Sequence, residues 1–304
     1  MPRVSTRRVS PVQKPEETPA ARKAAVCGKP IAHSLSPFIH TAGFAATGLL
    51  DWTYTAIECA ESELPDLVAG LGPEWAGLSL TMPLKETALR LASSASPQAI
   101  AVGCANTLVR QPDGTWHADN TDVIGMVQVL REAGLGVSTG RHAAKVAPPR
   151  ITVLGGGGTA RAALGAAAQL GAETVTVVTR RPEAREELDP VAVALGITLD
   201  GVSWDDAAGT FDADAIIATV PKGAADPLAE RVTWRPGSVL FDALYDPWPT
   251  PLAAAATAHE VPVFSGLDLL LAQALSQFEQ FTGLPEAPEE AMRKALGEAV
   301  QNRA

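Results

Sequence analysis

The residues best placed to do chemistry sit where strands run into helices. In Gly77-Leu78-Ser79-Leu80-Thr81-Met82-Pro83-Leu84-Lys85 an apolar strand is followed by a helix that carries Lys85 in its first turn. A helix N-terminus is electropositive, so an ammonium there breaks the local charge rule and becomes a candidate for function. The dipole would lower the lysine pKa towards proton exchange near neutrality, and a neighbouring carboxylate would oppose that shift. A solvated surface lysine is the competing explanation. Asp119-Asn120-Thr121-Asp122 supplies Asp122 at another helix start, and Gly103-Cys104-Ala105-Asn106-Thr107 supplies Asn106 at the start of a strand. Complementing a helix dipole and satisfying a loop backbone would account for these two without a ligand.

Gly28-Lys29-Pro30-Ile31-Ala32-His33-Ser34-Leu35-Ser36-Pro37 sets two hydroxyls at a loop-to-helix junction. Ser36 before Pro37 reads as an N-cap, which leaves Ser34 unexplained. Two hydroxyls beside free helix N–H groups can cradle a small carboxylate. Near the C-terminus a helix places Gln273, Gln277 and Gln280 on one face, read as solvated, against a packed face of Leu270, Ala274, Phe278 and Phe281. His33, His40, His117, His142 and His259 show no metal-ligand spacing, and no metal is expected.

Leu154-Gly155-Gly156-Gly157-Gly158-Thr159-Ala160 satisfies G-x-G-x-x-A directly after an apolar strand and before an Ala-rich helix. Gly155 allows the tight turn, Gly157 lets a pyrophosphate approach the backbone, and Ala160 lets helix and strand pack closely. At the end of the next strand an NAD site carries an acidic residue for the ribose 2′-hydroxyl. Here stand Thr179-Arg180-Arg181, with Arg185 a turn later. Guanidinium groups match a 2′-phosphate by stacking and by forked hydrogen bonds, so the reading is NADP, with a solvated basic helix start as the alternative.

The elements that must position these residues alternate strand and helix, which specifies an α/β protein with largely parallel sheets. Strands are expected at Ala24–Gly28, Trp52–Glu58 and Ala76–Leu80, with a hairpin of Asn106–Arg110 and Trp116–Ala118 across Asp113-Gly114. Helices are expected at Pro37–Thr47, Ser62–Gly70, Pro83–Ala92 and Thr121–Ala133. A second α/β run begins at Arg150, with strands at Ile151–Leu154, Thr174–Thr179, Ile197–Val202, Ala215–Ala218, Val239–Asp242 and Val261–Phe264, and a helix at Gly158–Leu170. That is enough for a doubly wound nucleotide-binding domain. Two helices, Leu269–Thr282 and Glu286–Gln301, finish the chain. Gly136–Pro149 reads as a linker, and Met1 to Lys23, rich in Arg, Lys and Pro, as a disordered basic tail.

Composition bounds the function. The 304 residues are 46% hydrophobic and 19% charged, as in globular proteins, and long enough for two domains. A net charge of −10 argues against broad electrostatic binding to nucleic acid or anionic membranes. Three scattered cysteines without a Cys-x-x-Cys pair, no run long enough to span a bilayer and no signal-peptide core suggest a soluble cytoplasmic protein.

Taken together, the segments resemble the shikimate dehydrogenase family from about Ala24 to the C-terminal helices. The resemblance rests on the order of six motifs and the helix that follows them. They are G-x-P-I-x-H-S-x-S-P at Gly28 to Pro37, T-x-P-x-K at Thr81 to Lys85, G-x-x-N-T at Gly103 to Thr107, N-T-D-x-x-G at Asn120 to Gly125, the glycine turn at Gly155 to Ala160, and D-x-x-Y-x-P-x-x-T-P-L at Asp242 to Leu252. The helix is G-x-x-x-L-x-x-Q-x-x-x-Q-F from Gly266. The resemblance implies an N-terminal α/β substrate domain (24–125) completed by the C-terminal helices (266–304), with a Rossmann-type NADP-binding domain (126–265) inserted between. It implies that Ser34 and Ser36 hold a substrate carboxylate, that Thr81, Asn106 and Gln273 surround the ring hydroxyls, that Lys85 and Asp122 form the catalytic pair, and that Tyr245 lines the cleft. Gly155, Gly156, Gly157, Gly158, Thr159 and Ala160, with Thr179, Arg180, Arg181 and Arg185, would hold NADP(H), with Thr219 and Gly266 also on the cofactor side. Three departures stand out: Thr41 replaces an Asn common in the family, Ala218-Thr219-Val220-Pro221 replaces N-A-T-P, and Thr179 to Arg185 departs from N-R-T-x-x-R. The implied activity is NADPH-dependent reduction of 3-dehydroshikimate to shikimate by a monomer or homodimer. Its rivals are an NAD-dependent quinate/shikimate dehydrogenase, an aminoshikimate-type dehydrogenase, and a silent NADP-binding sensor, which would lack the Lys and Asp pair.

Overall fold

The computed structural model describes residues 21–136 and 147–303, so the expected tail up to residue 20 and linker residues 137–146 lie outside the described residues. In the N-terminal unit the strands and helices are β1 (Arg22–Gly28), α1 (Ser36–Ala46), β2 (Trp52–Glu58), α2 (Leu64–Ala69), β3 (Trp75–Leu80), α3 (Lys85–Leu91), β4 (Ser94–Ala95), α4 (Pro97–Val102), β5 (Thr107–Arg110), β6 (Trp116–Asp119) and α5 (Thr121–Glu132). Arg22 and Lys23, expected in the tail, already belong to β1. The sheet order is β2-β1-β3-β5-β6-β4. Ala24 to Gly28 of β1 are all buried, as a strand flanked on both sides by parallel partners requires. The sheet is largely parallel, as expected, with one exception: β5 runs against both of its neighbours, β3 and β6, while β6 pairs in parallel with β4.

The second unit contains β7 (Ile151–Leu154), α6 (Gly158–Gln169), β8 (Thr174–Thr179), α7 (Pro182–Glu186), α8 (Asp189–Leu195), β9 (Thr198–Ser203), β10 (Ala215–Ala218), β11 (Val239–Asp242), α9 (Pro251–Ala258) and β12 (Val263–Ser265). All its strands are parallel in the order β12-β11-β10-β7-β8-β9. This is the doubly wound arrangement, whose strand order reverses between β7 and β10 and opens a crevice at the strand C-termini.

Two helices form the seam. α5 runs unbroken through residue 125, where a domain boundary is expected, and sends Val123, Met126, Val127 and Leu130 into the core around α6. α10 (Gly266–Thr282) gives Leu269 and Ala272 to that core, but Leu271, Ala274, Phe278 and Phe281 to the core of the first unit, shared with α1 and with Met292 and Leu296 of α11 (Glu289–Gln301). The helices can approach because residue 125 is glycine: a Cβ there would lie 3.0 Å from the Gln273 nitrogen. None of the described helices is long and apolar enough to cross a membrane.

Candidate active site

A cavity of about 320 Å³ lies where the loop after β1, the end of β3 and the starts of α3, α5 and α10 converge. It brings together Ser34, Ser36, Thr81, Lys85, Asn106, Asp122, Tyr245 and Gln273. Ser36 does not cap α1 as expected. It is the first helical residue, makes no capping bond, and donates its own N–H to Ser34 Oγ at 3.3 Å. Leu35 is the N-cap and no side chain caps the helix; Ser34 only receives the Ser36 N–H, and the buried Ser36 lines the cavity. From behind, Arg303 donates to the His33 carbonyl at 2.8 Å and the Ser34 carbonyl at 3.2 Å.

Lys85 opens α3 and Asp122 lies in the first turn of α5. Asn120 caps α5, accepting from the Val123 N–H at 3.3 Å while donating to the Cys104 carbonyl at 2.9 Å, and so fixes where Asp122 starts. Lys85 Nζ donates to Asp122 Oδ2 at 2.6 Å, with the side chains 17% and 11% exposed. Burial alone would lower the lysine pKa, but the charge and hydrogen bond of Asp122 outweigh it. The expected lowering by the helix dipole is thus reversed, and Lys85 is held above its ordinary value as a stable ammonium.

Asn106 accepts the Thr121 N–H at 2.8 Å through Oδ1, which turns its Nδ2 towards Gln273 Oε1, 3.5 Å away. The solvated-glutamine reading is wrong. Gln273 is 7% and Gln277 1% exposed, and Gln280 donates to Asp119 Oδ2 at 2.8 Å. Because α10 is wedged between two cores, its polar stripe meets protein rather than water. The cavity also contains Ser79 and Gln277, which were not marked as site residues. For Gln277 the signal was available, one helical turn after Gln273 on the same face.

In the second unit Gly155 adopts φ +114°, and a Cβ there would sit 2.5 Å from Thr219 Oγ1. Thr219 donates that hydroxyl to the Leu154 carbonyl at 2.8 Å, so it locks the glycine turn to β7. Gly156 faces the Ala184 carbonyl, and the fully buried Ala160 packs α6 onto the sheet. Gly157, the N-cap of α6, is different: a Cβ there meets nothing within 4 Å, and no side chain caps the helix. Open space in front of uncapped N–H groups fits a pyrophosphate. Thr159 follows in the first turn of α6. Thr179 ends β8 and is buried, with Arg180, Arg181 and Arg185 exposed beyond it. Gly266, expected on the cofactor side, lines the cavity beneath Tyr245, whose Cδ1 lies 3.0 Å from the position of an added Cβ. The two units meet at the ion pair: a Cβ on Gly158 would be 3.9 Å from Lys85 Cδ.

Comparison with known proteins gives consistent matches. The shikimate dehydrogenase substrate binding domain matches residues 26–108, the shikimate 5′-dehydrogenase C-terminal domain residues 266–296, and the NADP oxidoreductase, coenzyme F420-dependent, family residues 150–245. The chain is 36% identical over 282 residues to the shikimate dehydrogenase (NADP(+)) of Dinoroseobacter shibae, covering 90% of this chain and 97% of the relative. The crystal structure of Mycobacterium tuberculosis shikimate dehydrogenase superposes with a TM-score of 0.81 at 45% identity, covering 91% of this chain and 99% of that one. Shikimate 5-dehydrogenase from Thermus thermophilus, solved in complex with NADP(H) and shikimate, matches with a TM-score of 0.75 at 29% identity over 91% of this chain and 99% of that one.

Proposed function

Because the chain belongs to the shikimate dehydrogenase family, we propose that it is the NADPH-dependent oxidoreductase that reversibly reduces 3-dehydroshikimate to shikimate in aromatic amino-acid biosynthesis. The observation that carries this reading is the Lys85–Asp122 pair at 2.6 Å, held between the hydroxyl-lined cavity and the glycine loop. A silent sensor has no use for such a pair.

Ser34 and Ser36 bind the substrate carboxylate, assisted by the N-terminus of α1. Thr81, Asn106 and Gln273 surround the ring hydroxyls, and Tyr245 walls the cavity mouth. As charge grows on the carbonyl oxygen, the Lys85 ammonium stabilises it and gives up a proton; Asp122 fixes the lysine and holds it charged until then. In the oxidative direction the same atoms take the proton back. NADP(H), when bound, supplies or accepts the hydride. Gly155 to Ala160 would hold its pyrophosphate, and Arg180, Arg181 and Arg185 its 2′-phosphate. The protein's contribution is placement and proton supply.

In this reading residues 24–125 with 266–304 act as the substrate domain and 126–265 as the NADP domain, with α5 and α10 bridging the two. The same reading makes the enzyme cytoplasmic, where its buried, free Cys27, Cys59 and Cys104 stay reduced, and a monomer or homodimer. Steady-state oxidation of shikimate and of quinate, each with NADP and with NAD, tests the assignment. Shikimate with NADP should give the highest efficiency; a preference for quinate or for NAD would overturn it.

A further inference from the structure

An unbroken line of buried polar side chains runs from Tyr54 along the wall of the cavity to Asn106. We propose that Tyr54 is a positioning residue whose hydroxyl heads a one-way hydrogen-bond chain, Tyr54–Ser79–Gln277–Thr107–Asn106, that sets Ser79 as acceptor and Asn106 as donor towards the ring hydroxyls of the substrate. This deepens the proposed function and rests on it.

The direction of each bond follows from groups that have only one role. The Thr121 backbone N–H can only donate, and it meets Asn106 Oδ1 at 2.8 Å, so Asn106 Nδ2 faces the cavity. Thr107 donates its hydroxyl to the same Oδ1 at 2.8 Å and must therefore accept from elsewhere. Its donor is Gln277 Nε2 at 3.0 Å, which also reaches the Asn106 carbonyl, an obligate acceptor, at 3.2 Å. Gln277 thus turns its Oε1 to Ser79, whose hydroxyl donates to it at 2.7 Å. Having given its proton to Gln277, Ser79 can only accept from Tyr54, whose hydroxyl lies 2.6 Å away. One lone pair of Ser79 remains, and Ser79 lines the cavity, so towards a ligand it is an acceptor.

The surroundings enforce this. Tyr54, Ser79, Gln277, Thr107 and Asn106 are all buried, so each relies chiefly on its protein partners. Burial raises the Tyr54 phenol far above its ordinary range, so it stays a donor. His40 stacks on the Tyr54 ring at 4.2 Å with a 2° interplanar angle; burial lowers its pKa to about 3, so it packs as a neutral ring.

Removing the Tyr54 hydroxyl leaves the Ser79 proton on Gln277 but takes away the donor that fixes the Ser79 oxygen from the other side, so its remaining lone pair is no longer aimed at the substrate hydroxyl. The test compares wild type, Tyr54→Phe, Ser79→Ala and the double variant, with Ser79→Cys in place of Ser79→Ala if the latter does not fold. Tyr54→Phe should raise KM for shikimate by roughly two- to tenfold, the worth of one neutral hydrogen bond, and leave kcat and KM for NADP nearly unchanged. The double variant should be no worse than Ser79→Ala alone, because Tyr54 acts only through Ser79. A wild-type KM in Tyr54→Phe, effects that add in the double variant, or a parallel change in kcat and in KM for NADP would each overturn the proposal. Wild-type turnover of shikimate is the separate control: its absence would refute the functional reading, and the chain would then be tested on whichever hydroxylated substrate the enzyme uses.

Discussion

Replacing Asp122 by Asn separates the lysine from the ion pair that controls it. Burial is the largest influence on Lys85 and works against its charge; Asp122, 2.6 Å away, reverses the balance. Asn keeps the shape and one acceptor but removes the countercharge. Burial then acts with far less opposition, and the lysine titrates below its wild-type value. Reduction needs the ammonium, so activity falls as pH rises through the Lys85 pKa, and the basic limb of the kcat profile moves to lower pH in the variant. Stability follows the same sign. A folded pKa raised above the unfolded one gives stabilisation that is complete below the ordinary lysine value and lost as pH rises through the folded value. Removing one partner of a buried pair costs about 3–5 kcal/mol. These side chains keep some contact with water and Asn can still accept, so the scale of one charge-assisted hydrogen bond, about 1.5–3 kcal/mol, applies. Turnover should drop by up to roughly 10²–10⁴, the range a positioned proton donor contributes, because Lys85 loses the carboxylate that orients it and holds it charged. Initial rates of NADPH oxidation with 3-dehydroshikimate, followed from neutral to alkaline pH, provide the measurement. A basic limb that stays in place or moves upward, or turnover within a few-fold of wild type, would refute the reasoning.

Other substitutions probe the two binding regions. Ser34→Ala should raise KM for shikimate by roughly two- to tenfold with kcat little changed, because the carboxylate does not change during the reaction; steady-state kinetics at saturating NADP decide it. Arg180→Ala and Arg181→Ala should each reduce efficiency with NADP by roughly ten- to a hundredfold if both contact the 2′-phosphate, and leave efficiency with NAD unchanged, since NAD has no such group. Gly157→Ala should unfold at the wild-type temperature but bind NADP more weakly, its methyl occupying space the protein leaves open. Gly155→Ala should lower the melting temperature, because φ is +114° and Thr219 Oγ1 lies 2.5 Å from the new carbon. Thermal melts with and without NADP separate the two glycines, and equal destabilisation by both would contradict the assignment.

Elements stabilised by burial of an apolar run were readable in the chain: β1, β3, β7, β8, β10 and β11 fall within a residue or two of expectation. Those missed have no such pattern. α4, α7, α8 and α9 are five to eight residues long and carry proline in their first turn, so they look like punctuated loops. α4, α8 and α9 are held by burial of a few residues against other elements, whereas α7 buries none of its own. The hairpin was legible from Asp113-Gly114, but not the antiparallel joining of β5 to β3, since no turn encodes it. The motif at Asp242 also proves partly architectural. The buried Asp242 accepts from Thr250 at 2.7 Å, and Thr250 caps α9 by accepting from the Ala253 N–H at 3.1 Å.

In the site, residue types were more legible than their electrical state. Lys85 at a helix start signalled something unusual, yet the sign of its pKa shift depends on Asp122, 37 residues away on another helix. The glutamines of α10 were misread because an amphipathic pattern separates apolar from polar faces without saying what the polar face meets. The charge balance of the cavity is a further property of the assembled fold. Lys85 and Asp122 neutralise one another, so neither is free to attract the carboxylate of an incoming substrate. On the proposed reading that attraction falls to the start of α1, where Ser34 and Ser36 line the cavity on a loop whose His33 and Ser34 carbonyls accept from Arg303. The arginine lies 269 residues after Ser34, with nothing in its local sequence to connect them. In that proposal, anchoring the carboxylate at α1, away from the Lys85–Asp122 pair, leaves the ammonium uncommitted to the carboxylate and available to the reacting oxygen.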